Sequence, residues 1–191
     1  MSTRTAMIVG AQTPAGAAFA ARLAADGYSL VAAPADPRDE AQWAAVAPVR
    51  LDALVNAAGM ECSAPLADTS PALFRQVWED TVEVAVIATK WGLRLMRDSG
   101  SGGAILHLSS VDAIQGRPDG AAACAAAAAV THFAKIAAVE AGDLVPPCRV
   151  NSLNPGAASV AEIAAAALFL VGPRSRFTTG TATIVDGKRV I

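Results

Sequence analysis

Six short apolar runs alternate with five alanine-rich amphipathic stretches, and this alternation decides what the chain can fold into. The runs are TAMIVG, YSLVAAP, LDALVNAAG, GGAILHLSS, CRVNSLNPG and TATIVDGK. The stretches between them begin at Pro14, Pro37, Ser70, Gly120 and Ser159. Apolar runs too short for helices read as strands. Helical stretches between successive strands read as crossovers, so the pattern predicts a parallel sheet flanked by helices. The caps agree. Pro14 suits a helix start and Gly27 an end, and Ser70-Pro71 and Gly100 bound a long helix over 70–99. A further helix is expected over about 120–142, where Ala121 to Ala129 form a tract broken only by Cys124.

Length and composition narrow the function. The 191 residues suit a single domain over 1–191 with one sizeable core. With 15 basic and 17 acidic residues the net charge is −2, and no block of like charge occurs. That gives no footprint for nucleic acid and no polybasic patch for a membrane. Hydrophobic residues make up 53% of the chain, but 46 residues are alanine, which buries little area each. Some of this apolar surface is expected to be covered in an oligomer. Cys62, Cys124 and Cys148 form no CxxC or Cys/His cluster, so neither a zinc site nor a disulfide framework is expected. A reducing, cytoplasmic setting fits them. The opening MSTRTAMIVG does not read as a signal peptide, and the apolar run near Ala161–Val171 is too short to span a bilayer.

The motifs sit where apolar runs end. VGAQTPAG follows the first run, with Gly10 and Gly16 at the outer positions of a GxxxGxG phosphate loop and Pro14 at the middle one. Such a loop lets backbone approach a pyrophosphate at a helix N-terminus. Proline there removes an N–H, and a tight turn alone explains the glycines equally well. NAAG at Asn56–Gly59, LSS at Leu108–Ser110, NPG at Asn154–Gly156 and VDGK near the C-terminus complete an ordered set. In order and spacing the set resembles the short-chain dehydrogenase/reductase family over nearly the whole chain.

That resemblance implies a Rossmann-like three-layer α/β/α sandwich. Its parallel sheet would have about six strands, ordered 2-1-4-5-6-7 in family terms with the third deleted. It also implies an NAD(P)-dependent oxidoreductase that moves hydride between nicotinamide and a carbonyl or alcohol, through Asn, Ser, Tyr and Lys. Carried over by residue, the serine falls on Ser110, but the tyrosine position falls on Ala123 and the lysine position on Ala127. The helical asparagine position falls near Thr81. The remnant cofactor positions are Gly10, Gly16, Asn56 and Gly59. Where the family reads the ribose, this chain has Pro34 and Ala35, and the sequence after NPG leaves no room for a substrate lid. Alanine has no proton to give, and a positioned acid–base group contributes about 10²–10⁴-fold.

The resemblance therefore points first to a catalytically impaired member that binds NAD(P) weakly or not at all. It would serve as the structural or regulatory subunit of a hetero-oligomer with a complete dehydrogenase, through helices 70–99 and 120–142. The alternatives are an NAD(P)-dependent alcohol/carbonyl oxidoreductase with unconventional catalytic residues, and a small-molecule binding or sensing protein. In the last, Asn56, Ser110, Asp112 and Gln115 would line the crevice. Cys124, His107, His132 and Lys135 are expected to pack or face solvent.

Overall fold

The computed structural model describes residues 3–187; Lys188 of the VDGK motif lies outside them. The strands are β1 (Thr5–Val9), β2 (Ser29–Val31), β3 (Ala53–Asn56), β4 (Gly103–Leu108), β5 (Cys148–Pro155) and β6 (Ala182–Val185). They form one six-stranded sheet in the order β2-β1-β3-β4-β5-β6, parallel throughout. The helices are α1 (Pro14–Ala25), α2 (Glu40–Val46), α3 (Pro71–Trp78), α4 (Val84–Asp98), α5 (Ala121–Gly142) and α6 (Val160–Val171). This is the parallel sheet flanked by helices that the alternation predicted, and the Rossmann-like three-layer sandwich that the resemblance implied.

Strand alternation splits the core between the two faces of the sheet. Ala6 and Ile8 of β1 pack with Phe19 and Leu23 of α1 and Ile163 and Leu168 of α6. Met7 and Val9 face the other way, onto Trp43 of α2, Val84 and Ala88 of α4, and Ala134 and Ala138 of α5. Trp43 is fully buried, donates its indole N–H to Pro37 O at 2.9 Å, and stacks on Trp91 at 6.5 Å. One short helix therefore fills the whole space between β2 and β3.

Local chemistry sets the helix ends. Thr13 caps α1 by accepting from Gly16 N, with Pro14 at the first turn. Ser159 and Glu162 form a capping box on α6. At the other end of α6, Arg149 donates to Leu170 O and Gly172 O, and to Thr178 O beyond, so its cation meets the exposed carbonyls. Only Gly156–Ser159 separate β5 from α6, which leaves no insertion for a lid.

Two details differ from the sequence reading. The helix expected over 70–99 is broken by a π-helical segment, Glu79–Glu83, between α3 and α4. And α5, not the run near Ala161, is the described helix long and apolar enough to cross a membrane. Its Ala126, Val130, Ala134, Ala137 and Ala141 are all buried in the domain, as a core helix requires.

Candidate functional site

The loops after β1, β3 and β4 meet at the carboxyl edge of the sheet and enclose a crevice of about 320 Å³. In parallel α/β sheets this edge is where ligands bind. Thr13–Ala15, Ala57–Glu61, Leu108–Ser110 and Asp112 line it from the loops, and Thr81, Ala123, Ala127 and Val160 line it from the helices. Two further cavities share its lining residues. One runs past Gly59 to Asp36–Arg38, and the next lies between Gly10–Gln12 and Ala33–Ala35. Together they make a trough running from Ser110 to the end of β2.

Ser110 is held at both its hydroxyl and its carbonyl. Its Oγ accepts from Asp112 N at 3.1 Å. Its carbonyl accepts from Asn154 Nδ2 at 3.0 Å, and Asn154 is fully buried. A hydrogen-bond chain then ties the end of β4 to α5. Asn154 donates to Thr131 Oγ1, Thr131 to Ser109 Oγ, and Ser109 to Ala127 O. This chain fixes Ala127 beside Ser110. Ala123 and Ala127 thus line the same crevice as Ser110.

Thr81 sits in the π segment, and its Oγ1 accepts from Met60 N at 3.1 Å. π segments inside helices are frequent at functional sites, and this one places Thr81 in the lining of the crevice. Arg117 anchors the rim. It contacts Asp112 at 2.6 Å and Glu61 at 3.7 Å and donates to Cys62 O at 3.2 Å. The hydrogen bond to Asp112 raises its pKa. A bridge between Ala64 and Gly120 runs alongside. Sequence reasoning missed this anchor. RPDG signals a turn, but no local pattern tells which carboxylates a turn arginine will meet.

Several sequence candidates lie elsewhere. Asn56 is buried, and its amide is used on His107 and on Ala58 N, so it supports the β3 turn and does not line the crevice. Gln115 is exposed and lies outside the lining. His107 is buried and His132 and Lys135 are exposed. Cys124 and Cys62 are partly buried, and Cys148 is buried, its thiol pushed up to about 11 by desolvation. Tyr28, the single tyrosine, is at the opposite edge of the sheet, where Arg4 donates to its hydroxyl at 3.0 Å.

The fit to a nicotinamide dinucleotide is uneven along the trough. Gly10 has φ +78°, and a Cβ on it would meet Ala57 C at 2.7 Å; a Cβ on Gly16 would meet Gly10 O at 2.1 Å. Both glycines are thus required by the chain's own turn. Of the first-turn residues of α1, Pro14 has no N–H, and Gly16 N and Ala17 N already donate to Thr13. Ala15 N remains for a phosphate oxygen. At the far end Pro34 and Ala35 carry no side-chain acceptor for a ribose, and Asp36 Oδ1 accepts from Arg38 N. The residues around Gly59, Thr81 and Ser110 fit the nicotinamide half, and little grips the adenosine half. Among the described residues no His/Cys/Asp/Glu group could hold a metal ion.

Sheet order, crevice position and β-strand-end motifs together define a Rossmann-type α/β protein with its site at the carboxyl edge. The family model for short chain dehydrogenases matches residues 38–167. The chain belongs to the short-chain dehydrogenase family, a family of oxidoreductases. It is 34% identical to the galactitol 2-dehydrogenase (L-tagatose-forming) of Cereibacter sphaeroides, over 90% of this chain and 76% of that protein. It is 33% identical to the cyclopentanol dehydrogenase of Comamonas testosteroni, over 72% of this chain and 65% of that enzyme. This chain therefore spans just under two thirds of the length of the cyclopentanol dehydrogenases. Among solved structures, a short chain dehydrogenase/reductase family protein superposes with TM-score 0.86 at 27% identity, covering 96% of each chain. The NADP-bound structure of ElxO superposes with TM-score 0.89 at 21% identity, over 97% of this chain and 98% of that one, which shows the fold.

Proposed function

We propose that this chain is an NAD(P)-dependent oxidoreductase acting on an alcohol–carbonyl pair, with weak nucleotide binding and an acid–base apparatus reduced to Ser110. The observation that carries this is the placement of Ser110 and Thr81 on one crevice that continues into a trough reaching the end of β2. The named relatives, an alcohol and a polyol dehydrogenase, favour turnover over a purely structural role. The nucleotide, when bound, supplies or accepts the hydride. Gly59, Thr81 and Ala15 N would hold its nicotinamide and phosphate portions. Ser110 donates to the reacting oxygen and orients it. Ala123 and Ala127 hold no proton, so the proton on that oxygen exchanges with solvent, and the rate falls by the about 10²–10⁴-fold that a positioned acid contributes.

Titrating NADH and NADPH by fluorescence, then assaying a ketone and alcohol panel, tests the proposal. Slow turnover abolished by Ser110→Ala supports it. Failure to bind either nucleotide at millimolar concentration sinks it.

A specific observation supports the non-catalytic subunit as a second reading. Phe74, Trp78 and Val86 on α3–α4 and Ile136 and Val139 on α5 leave apolar side chains exposed. These are the two long helices through which a complete dehydrogenase subunit would dock. Gentle purification from a native host decides it, since a stoichiometric co-eluting dehydrogenase with intact Tyr and Lys is its required result. The cytoplasm is the setting proposed in either case, in keeping with three free thiols.

A further inference from the structure

The opposite edge of the sheet carries a separate cleft of about 460 Å³, where the amino ends of β1, β3, β4 and β5 meet the carboxyl ends of α5 and α6. That volume lies within the range of small-molecule sites. Its charged lining residues are Arg4, Asp52, Arg149 and Arg176. Two of the four are neutralised by the chain itself. Arg4 pairs with Asp26 at 3.1 Å, and Asp52 receives Arg50 on both oxygens and Thr5 N besides. Arg149 and Arg176 have no carboxylate partner among the described residues.

Arg149 is partly buried, and burial lowers its pKa from the ordinary arginine value. An arginine has five N–H donors. Arg149 gives three bonds, to Leu170 O, Thr178 O and Gly172 O, which leaves two donors unused. Arg176 is exposed, and its guanidinium lies 4.8 Å from the centre of the Phe177 ring. Tyr28 accepts from Arg4, and its own hydroxyl proton has no acceptor among the described residues. The lining is therefore rich in donors, and its one carboxylate is already taken. The carboxyl ends of α5 and α6 oppose an anion with about −0.5 charge each. Against two guanidiniums, that leaves roughly one positive charge. Pro147, Val171 and Pro173 supply apolar wall.

We infer that this amino-edge cleft binds a small organic monoanion, a carboxylate on a compact apolar body. Arg149 and Arg176 receive the carboxylate, whose two oxygens match a guanidinium fork. Tyr28 adds a hydroxyl donor, and the proline and valine wall takes the apolar body. A neutral alcohol leaves both guanidiniums unmatched. A phosphate dianion brings more negative charge than the cleft balances. The site lies across the sheet from Ser110 and depends on neither nucleotide binding nor turnover.

The test titrates the full chain at physiological salt with para-fluorobenzoate and para-fluorobenzyl alcohol, read by fluorine NMR, and with inorganic phosphate as a competitor. The benzoate is expected to bind at least about tenfold more tightly than the alcohol, as a charge-assisted hydrogen bond requires. Arg176→Gln should weaken it about two- to fivefold, the scale of an exposed ion pair. Arg149→Gln should weaken it about tenfold or more. Arg149 also caps α6, so the melting temperature of each variant is measured, and if Arg149→Gln does not fold then Arg176→Gln decides. Arg38→Gln, in the trough at the other edge, should leave the affinity unchanged, and NADPH should not displace the benzoate. Equal binding of the alcohol, no binding of the benzoate, or no effect of Arg176→Gln overturns the inference, as does phosphate competing more tightly than benzoate binds. Displacement by NADPH, or weakening by Arg38→Gln, would put the carboxylate in the trough and overturn it too. Failure to bind a nucleotide would defeat the oxidoreductase proposal and leave this site standing.

Discussion

Lowering the pH from 8 to 5 should destabilise this protein through one residue, His107. Its ring is fully buried on β4 between Thr89 and Asn56. Thr89 Oγ1 gives its one proton to Ala85 O at 2.8 Å, so it must accept from His107 Nε2. Nδ1 then accepts from Asn56 Nδ2 at 3.4 Å, while Asn56 Oδ1 is held by Ala58 N. A second ring proton would point at an amide that is itself a donor. Burial pushes the ring down from its ordinary 6.5 to about 4. A base with a depressed folded pKa contributes stability above its unfolded pKa and loses it as pH falls through the window from 6.5 to 4. Linkage over that interval gives about 2 kcal/mol lost between pH 8 and pH 5. Urea melts of wild type and His107→Leu across this range measure it. The variant is expected to be less stable at pH 8, because Asn56 and Thr89 lose their partner, and to show a pH slope smaller by about 2 kcal/mol. An equal slope in both proteins would refute the argument.

Other outcomes follow from the same contacts. Gly16→Ala forces a Cβ to within 2.1 Å of Gly10 O, so it should cost about 1–3 kcal/mol in a thermal melt even without ligand. Trp43→Ala removes a fully buried indole and its bond to Pro37 O, and should cost about 3–5 kcal/mol by urea titration. Phe74→Ser with Ile136→Ser should shift the protein to a smaller species by light scattering if α3–α4 and α5 are covered by another subunit. An unchanged mass would place the interface elsewhere.

The fold was legible because parallel strands buried on both faces must be apolar and their crossovers must be amphipathic. That pattern is local, and it located the six strands. The site was legible only in part. Ser110, Ala123 and Ala127 fell on one crevice because motif spacing along β4 and α5 fixes the register. Asn56 did not, because the direction of a side chain at a strand end depends on its neighbours, here His107 and Ala58. Gly10 and Gly16 show the limit of motif reading. A glycine needed for a phosphate and one needed for its own turn look the same in sequence, and here the turn demands both. The π segment at Glu79–Glu83 carried no periodic signal over its five residues.

The measurement that tests the central claim most directly compares ketone reduction by NADPH in the wild type and in Ala123→Tyr/Ala127→Lys. Both positions line the crevice beside Ser110, so the double variant returns a positioned acid and a cation to it. The account predicts an increase in kcat of about 10²–10⁴-fold with little change in nucleotide affinity. A nucleotide-binding double variant that is no faster than the wild type would contradict it, as would a wild type already turning over at the double variant's rate.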